Sequence, residues 1–381
     1  VTRPLQAFAL TVAACASPQH VAATTSVDAP PTPADAAAAD FSGMLVPIAS
    51  HAGLPALAAA VSDDHQILAR GVTGIRKVGN PTLATFDDRW HLGSDTKAMT
   101  ATLAALEVEA GKLRWDMTLP QAFPSWQIDP GYAQVTLRML LAHVGGAPGD
   151  FPDDVWAVMR GSGTPQALRT QAVQMMLSRP PGATVGTYTY ANAGYMMAGV
   201  AIEVATGRAW EDEITARVFQ PLGMASCGFG PSATGTQVDQ PWGHILQDGT
   251  LVPVNLDNPA AIGPAGTVHC SLADWLVFLR DHLAGARGEP THLAITADDW
   301  TLLHTAWTGS NYALGWAIVQ RPWATGNVFT HTGSNTFDTA EVWIAPSVNR
   351  IYISATNRGD NTAYAGADAA ITAAFQAYPG S

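Results

Sequence analysis

A chain of 381 residues has room for one large domain or two closely packed ones, and 47% hydrophobic residues supply a full core. Only 13% of residues are charged, about half the usual share, which argues against a disordered or coiled-coil protein. Acidic residues number 31 against 19 basic, a net charge of −12, and no basic run exceeds Ile75-Arg76-Lys77. Nucleic acid is therefore a poor partner, because neutralising phosphates needs a cationic face.

At the N-terminus, Arg3 precedes a short apolar stretch, residues 5–14, that ends in small residues and reads as a secretory signal. Val12-Ala13-Ala14-Cys15 resembles a bacterial lipoprotein cleavage box, so export with a lipid anchor on Cys15 is one expectation and a plain Ala-rich leader the other. No apolar run approaches the ~20 residues that a membrane span needs. Residues 16–39 hold Ala, Pro, Ser and Thr with scarcely a large apolar side chain, which predicts a flexible tether. The folded body is expected from about Asp40.

Leu57–Val61 and Gln66–Val72 flank Asp63-Asp64-His65 and predict a β-hairpin. From Lys97 to Gly111, apolar residues recur at helical spacing through Met99, Leu103, Leu106 and Val108, and the glycine stops the helix. Helical signals dominate from 119 to 254, as in Leu137–His143, Ala193–Ala205 and Trp210–Phe219. The pattern then returns to strand at Tyr312–Val319, Val328–His331, Thr339–Ile344 and Arg350–Ala355, before a last helix, Ala363–Ala377. This order predicts an α/β (α+β) fold, an antiparallel sheet flanked by helices with an all-α insertion. The divisions fall at 1–39 (leader and tether), 40–118 (first α/β part), 119–254 (helical part) and 255–381 (second α/β part). Three cysteines in no metal-binding spacing exclude a disulfide framework, and Cys227 and Cys270 read as buried free thiols in preference to a pair.

Ser94-Asp95-Thr96-Lys97 is the strongest chemical signal: the chain has three lysines, and only here does one follow a serine by three positions. On a helix, positions i and i+3 share a face, so the amine reaches the hydroxyl. A serine at a helix start also lies among free N–H groups and the positive dipole end, which favour an oxyanion. Partial burial would lower the lysine's pKa toward a range where it accepts a proton. The structural alternative makes Ser94 an N-cap and Lys97 a solvated first-turn cation, which the helix dipole disfavours. Tyr190-Ala191-Asn192 precedes a helix, so Asn192 is either a cap or a functional amide, and Tyr190 a packed aromatic or a proton carrier. His331-Thr332-Gly333-Ser334 ends a strand, where glycine permits close approach of a ligand, although a strand-end histidine is usually structural. No serine has glycine at both −2 and +2, and HExxH, Walker A and GxGxxG are absent, so no metal or nucleotide cofactor is implied.

Taken together, these three motifs resemble the penicillin-recognising serine hydrolases: class C β-lactamases, D-alanyl-D-alanine carboxypeptidases, D-aminopeptidases and family VIII esterases. The resemblance runs from about Gly53 to Tyr378 and takes in residues 91–97, residues 136–143 with Gly145-Gly146, and residues 190–195. Pro221-Leu222-Gly223-Met224, Pro264-Ala265-Gly266, Leu314-Gly315-Trp316 and His331-Thr332-Gly333 complete it. It implies a β-lactamase/transpeptidase-like fold, with Ser94 as acylated nucleophile and Lys97 and Tyr190 as proton shuttles. It further implies Asn192, His331, Thr332 and Gly333 on the substrate, and an oxyanion hole from the Ser94 and Ser334 N–H groups. The expected substrate is a small ester, amide or β-lactam. His331 stands where class C β-lactamases usually have lysine, and a neutral imidazole holds a carboxylate less firmly. Ester or D-amino-acid amide hydrolysis is thus expected ahead of β-lactam hydrolysis, and the alternative of another class is a penicillin-binding or scaffold protein without turnover.

Overall fold

The computed structural model describes residues 38–380, which lie in one compact unit. The leader, the tether up to residue 37 and Cys15 lie outside the described residues. The opening elements are β1 (Ala39–Asp40), α1 (Ser42–Ala52), β2 (Ala56–Ser62), β3 (Ile67–Lys77), β4 (Asn80–Leu83), β5 (Arg89–His91) and α2 (Thr96–Glu109). Helices follow: α3 (Leu119–Ala122), α4 (Leu137–Leu141), α5 (Asp153–Met159), α6 (Pro165–Leu177), α7 (Asn192–Thr206), α8 (Trp210–Ile214) and α9 (Gln220–Leu222). Next come β6 (Gly228–Phe229), β7 (Gly243–Gln247), β8 (Thr250–Val254), α10 (Gly263–Gly266), β9 (Val268–Ser271), α11 (Leu272–Arg287) and α12 (Ala297–Leu303). The chain closes with β10 (Ala317–Arg321), β11 (Ala324–Ser334), β12 (Thr339–Ala345), β13 (Arg350–Thr356) and α13 (Asn361–Ala377).

The main sheet has eight strands in the order β1-β3-β2-β13-β12-β11-β10, with β4 paired to β3. Every pairing but β1–β3 is antiparallel. Strand β2 (ALAAAVS) is buried along its whole length, as a central strand covered on both faces must be. One face packs under α1 and α13 through Leu45, Leu57, Val61, Tyr352 and Ile371. The other joins a core that runs unbroken through α2, α7 and α11, including Leu103, Met197, Leu276 and Ile353. Helix α2 has twelve buried residues of fourteen, so it is a central helix with no solvent face. The mixed α/β fold expected from the sequence is the one observed.

Two readings need correction. The helical stretch stops at Leu222, and residues 243–254 form the hairpin β7–β8. Its turn is Asp248-Gly249 with φ of 49° and 78°, the Asp-Gly chemistry that two-residue hairpins favour. Cys227 and Cys270 are not free thiols but a disulfide. Strand β6 pairs with β9 so that Gly228 faces His269, which sets Cys227 opposite Cys270, a register that sequence spacing cannot reveal.

Candidate active site

The turn before α2 is held from below. Strand β5 pairs with β9, Leu92 N–H donates to Val268 C=O at 2.8 Å, and Gly93-Ser94-Asp95 form a single 3₁₀ turn. His91 Nδ1 accepts the Gly93 N–H at 3.0 Å, so the proton of the neutral ring sits on Nε2 and points at Asp257 Oδ2, 2.9 Å away. Asn335 donates to the other Asp257 oxygen at 3.2 Å. Among residues 91–100 only Ser94 escapes full burial, so the turn presents one hydroxyl to the surface.

Lys97 is fully buried one turn into α2. Its Nζ lies 2.9 Å from Ser94 Oγ, 2.7 Å from Asn192 Oδ1 and 2.7 Å from Ala265 C=O. Burial lowers its pKa to about 7, only partly opposed by the Asp95 carboxyl. The neutral amine matches this environment atom for atom. Its two protons go to the amide and carbonyl oxygens, which can only accept, and its lone pair faces the Ser94 hydroxyl. The Lys97 nitrogen lies over the Tyr190 and Tyr195 rings, 4.8 and 5.5 Å from their centres.

Tyr190 and Asn192 come from opposite sides of the α7 start. Ala191, not Asn192, is the residue preceding the helix, which frees the Asn192 amide for Lys97. Tyr190 is 38% exposed, and its hydroxyl lies beside Ser94. Crowding around that hydroxyl pushes its pKa above the ordinary tyrosine value, so the phenol holds its proton at neutral pH.

The third motif closes the site. A Cβ on Gly333 would stand 1.9 Å from Leu92 C=O and 2.8 Å from the Ser94 nitrogen, and one on Gly93 would stand 2.3 Å from the Ser334 nitrogen. Bare backbone at both positions lets β11 and the 93–95 turn touch, bringing the Ser94 and Ser334 amides to one lip. Along β11, Thr332 is exposed and the flanking His331 and Gly333 are buried, the alternation of a strand. His331 Nε2 lies 3.0 Å from the Tyr312 hydroxyl, and Nδ1 lies 3.5 Å from Asp95 Oδ1. Tyr312 lies beside Tyr195, whose hydroxyl donates to Leu141 C=O at 2.7 Å. Burial, reinforced by Lys97, lowers the His331 pKa to about 3, so the ring is neutral and committed to Tyr312. The carboxyl of Asp95 lies beneath with its pKa raised well above the usual range, first by burial and then by Glu341.

Ser94, Lys97, Tyr190, Asn192, Thr332, Gly333 and Ser334 thus converge, with His331 behind them. Sequence reasoning assigned no part to the Ala265 carbonyl, Tyr195, Tyr312, His91 or His143. Ala265, Tyr195, His91 and His143 fall inside the motif stretches quoted for the resemblance, which was the signal available. Tyr312 carries none. Among the described residues no group of three or more His, Cys, Asp or Glu is placed to hold a metal ion.

A sheet with a helical insertion, and a serine hydroxyl 2.9 Å from a buried lysine one turn on, are the arrangement that acyl-transferring serine hydrolases use. The Beta-lactamase family model matches residues 26–377, and the chain belongs to that family. It is 28% identical to penicillin-binding protein 4 of Amycolatopsis lactamdurans over 327 residues, 81% of this chain and 82% of that one. It is 30% identical to the lovastatin esterase of Penicillium rubens over 196 residues, 47% of this chain and 46% of that one. The solved D-amino acid amidase of Ochrobactrum anthropi SV3 shares the fold with a TM-score of 0.70 at 21% identity, over 88% of this chain and 97% of that one. The protein is a serine hydrolase.

Proposed function

We propose that this hydrolase cleaves small carboxylic esters, or amides of D-amino acids, through an acyl-enzyme on Ser94. The observation that carries it is the Lys97 amine, neutral near pH 7 and 2.9 Å from Ser94 Oγ. Ser94 Oγ attacks the substrate carbonyl carbon while its proton passes to the Lys97 lone pair. The N–H groups of Ser94 and Ser334 receive the oxyanion, a stabilisation of about 3 kcal/mol per donor in comparable sites. Collapse breaks the bond to the leaving group, which takes a proton from the Tyr190 hydroxyl, and the Lys97 ammonium passes its proton to the Tyr190 phenolate, leaving both groups neutral. Water then attacks the acyl carbon, giving a proton to the Lys97 lone pair; collapse breaks the bond from the acyl carbon to Ser94 Oγ, Oγ takes that proton back from Lys97, and the acid leaves. Asn192 holds Lys97 in place and borders the substrate, and the exposed Thr332 hydroxyl and bare Gly333 backbone line its other side.

His331 favours esters and amides over β-lactams. Its ring is buried, neutral and hydrogen-bonded to Tyr312, so this edge of β11 offers no cation to a drug's carboxylate. The Cys227–Cys270 bond supports an oxidising compartment, in line with the export signal read at the N-terminus. The test pairs a panel of short acyl esters, D-amino-acid amides and penicillin with intact-mass spectrometry, using Ser94→Ala as control. Esters or amides turn over, penicillin leaves an adduct on Ser94 that persists for minutes, and Ser94→Ala shows neither. Near-normal turnover by folded Ser94→Ala would overturn the nucleophile. Faster clearance of penicillin than of every ester and amide would overturn the substrate class.

A further inference from the structure

The loop that carries Tyr190 has no secondary structure of its own between α6 and α7, yet it is fixed to one short segment after α4. Ala183 N–H donates to Gly146 C=O at 3.1 Å and Gly186 N–H to Val144 C=O at 2.8 Å. Nearer the site, both grips come from one residue. Thr189 N–H donates to His143 C=O at 2.8 Å, and Ala191 N–H donates to His143 Nδ1 at 3.1 Å, so the two neighbours of Tyr190 are bonded to the same histidine. The His143 ring lies 4.4 Å from the Tyr190 ring and 4.7 Å from that of Tyr312. It is 3% exposed. Its backbone is left-handed, φ 59°, a conformation that most side chains avoid and that turns the carbonyl and the ring toward the same strand of loop.

We propose that His143 is a positioning residue that sets the Tyr190 hydroxyl against Ser94 by clamping Thr189 and Ala191. The inference rests on the role assigned to Tyr190 above. Because Nδ1 accepts an N–H, the ring proton sits on Nε2, which has no hydrogen-bond partner among the described side chains. Burial, reinforced by Lys97, holds the ring well below its ordinary pKa, which preserves Nδ1 as an acceptor at any pH where the enzyme works. His143 touches no reacting atom; it acts through the phenol.

Three variants separate this from packing. In His143→Asn the amide oxygen stands close to where Nδ1 was, and asparagine tolerates a left-handed backbone. In His143→Phe the ring stays and the acceptor goes; His143→Gln, whose oxygen lies one bond too far, replaces it where Phe does not fold. The readouts are Ser94 labelling by a fluorophosphonate, kcat and KM on the best ester, and thermal midpoint. His143→Asn should keep labelling and kcat within about threefold, whereas His143→Phe or His143→Gln loses about 10–100-fold in kcat with KM little changed, as misplacing a catalytic group by a fraction of an ångström does. In a Tyr190→Phe background the same change should cost less than about threefold, because the group being positioned is already gone. Equal losses in Asn and Phe variants that track the thermal midpoint, or a full further loss on top of Tyr190→Phe, would overturn the proposal. If Tyr190→Phe alone keeps full activity, the role given to Tyr190 has failed instead; if it loses activity and His143→Phe does not, only the His143 inference has failed.

Discussion

Lys97 is the residue whose chemistry depends most on its surroundings. An exposed lysine would be an ammonium at neutral pH and useless as a base; burial among an amide oxygen, a carbonyl and a hydroxyl lowers its pKa to about 7. Because the neutral amine is the working form, Ser94 acylation should rise with pH through about 7 and level off above it. Protonation at lower pH fills the lone pair and switches the base off. His331, near 3, stays neutral across the whole range and adds no second limb there. The check is the rate of Ser94 labelling between pH 5 and 9. A flat profile, or a rise centred near the ordinary lysine value, would remove Lys97 as the base.

Two elements that are distant in sequence meet only because both lack side chains at the contact. The turn before α2 and the end of β11 touch through Gly93 and Gly333, and this contact brings two amides to one point. Gly333→Ala would force a Cβ to within 1.9 Å of Leu92 C=O, which is backbone and cannot rotate away. The strand must lift, at a cost of about 1–3 kcal/mol in stability. Activity should fall further than stability does, because the Ser334 N–H moves off the oxyanion. Thr332→Ala, at the exposed neighbouring position, should leave stability within about 0.5 kcal/mol. Denaturant melts of both variants with ester kinetics decide this, and a fully active Gly333→Ala would show that the close approach is not needed.

Across the whole molecule, the sheet and the helical segment share one core, with Leu141 and Met197 in the same cluster as Trp275 and Ile353. The disulfide joins β9 to the segment leaving α9 across 43 residues. Closing a loop of that length restricts the unfolded chain by about 4 kcal/mol in the loop-entropy treatment. Cys227→Ser, or reduction confirmed by thiol titration, should therefore lower the melting midpoint of a single transition by several degrees. Activity at low temperature should survive, since the β5–β9 pairing that supports the Ser94 turn is made by backbone hydrogen bonds and not by the disulfide. An unchanged midpoint after complete reduction would mean that the bond contributes nothing.

The amino-acid sequence by itself determined the elements and the reacting pair. The hairpin β2–β3, helix α2 and strands β11 to β13 follow from period and punctuation, and Ser94 and Lys97 are brought together by three residues of helix. Local signals also existed for what was not read: Asp248-Gly249 for the β7–β8 hairpin, and Ser271 and Gly288 bracketing Leu272, Trp275, Leu276 and Leu279 for α11. What no local signal carries is register and desolvation. Whether Cys227 meets Cys270 depends on how β6 aligns with β9. Whether Lys97 is a base depends on Asn192 and Ala265, 95 and 168 residues away, excluding water from its nitrogen. Whether His331 faces a ligand or the interior depends on Tyr312 claiming its Nε2. A hydrogen bond or a buried charge is a property of the groups that surround it, and those are assembled only when the chain has folded.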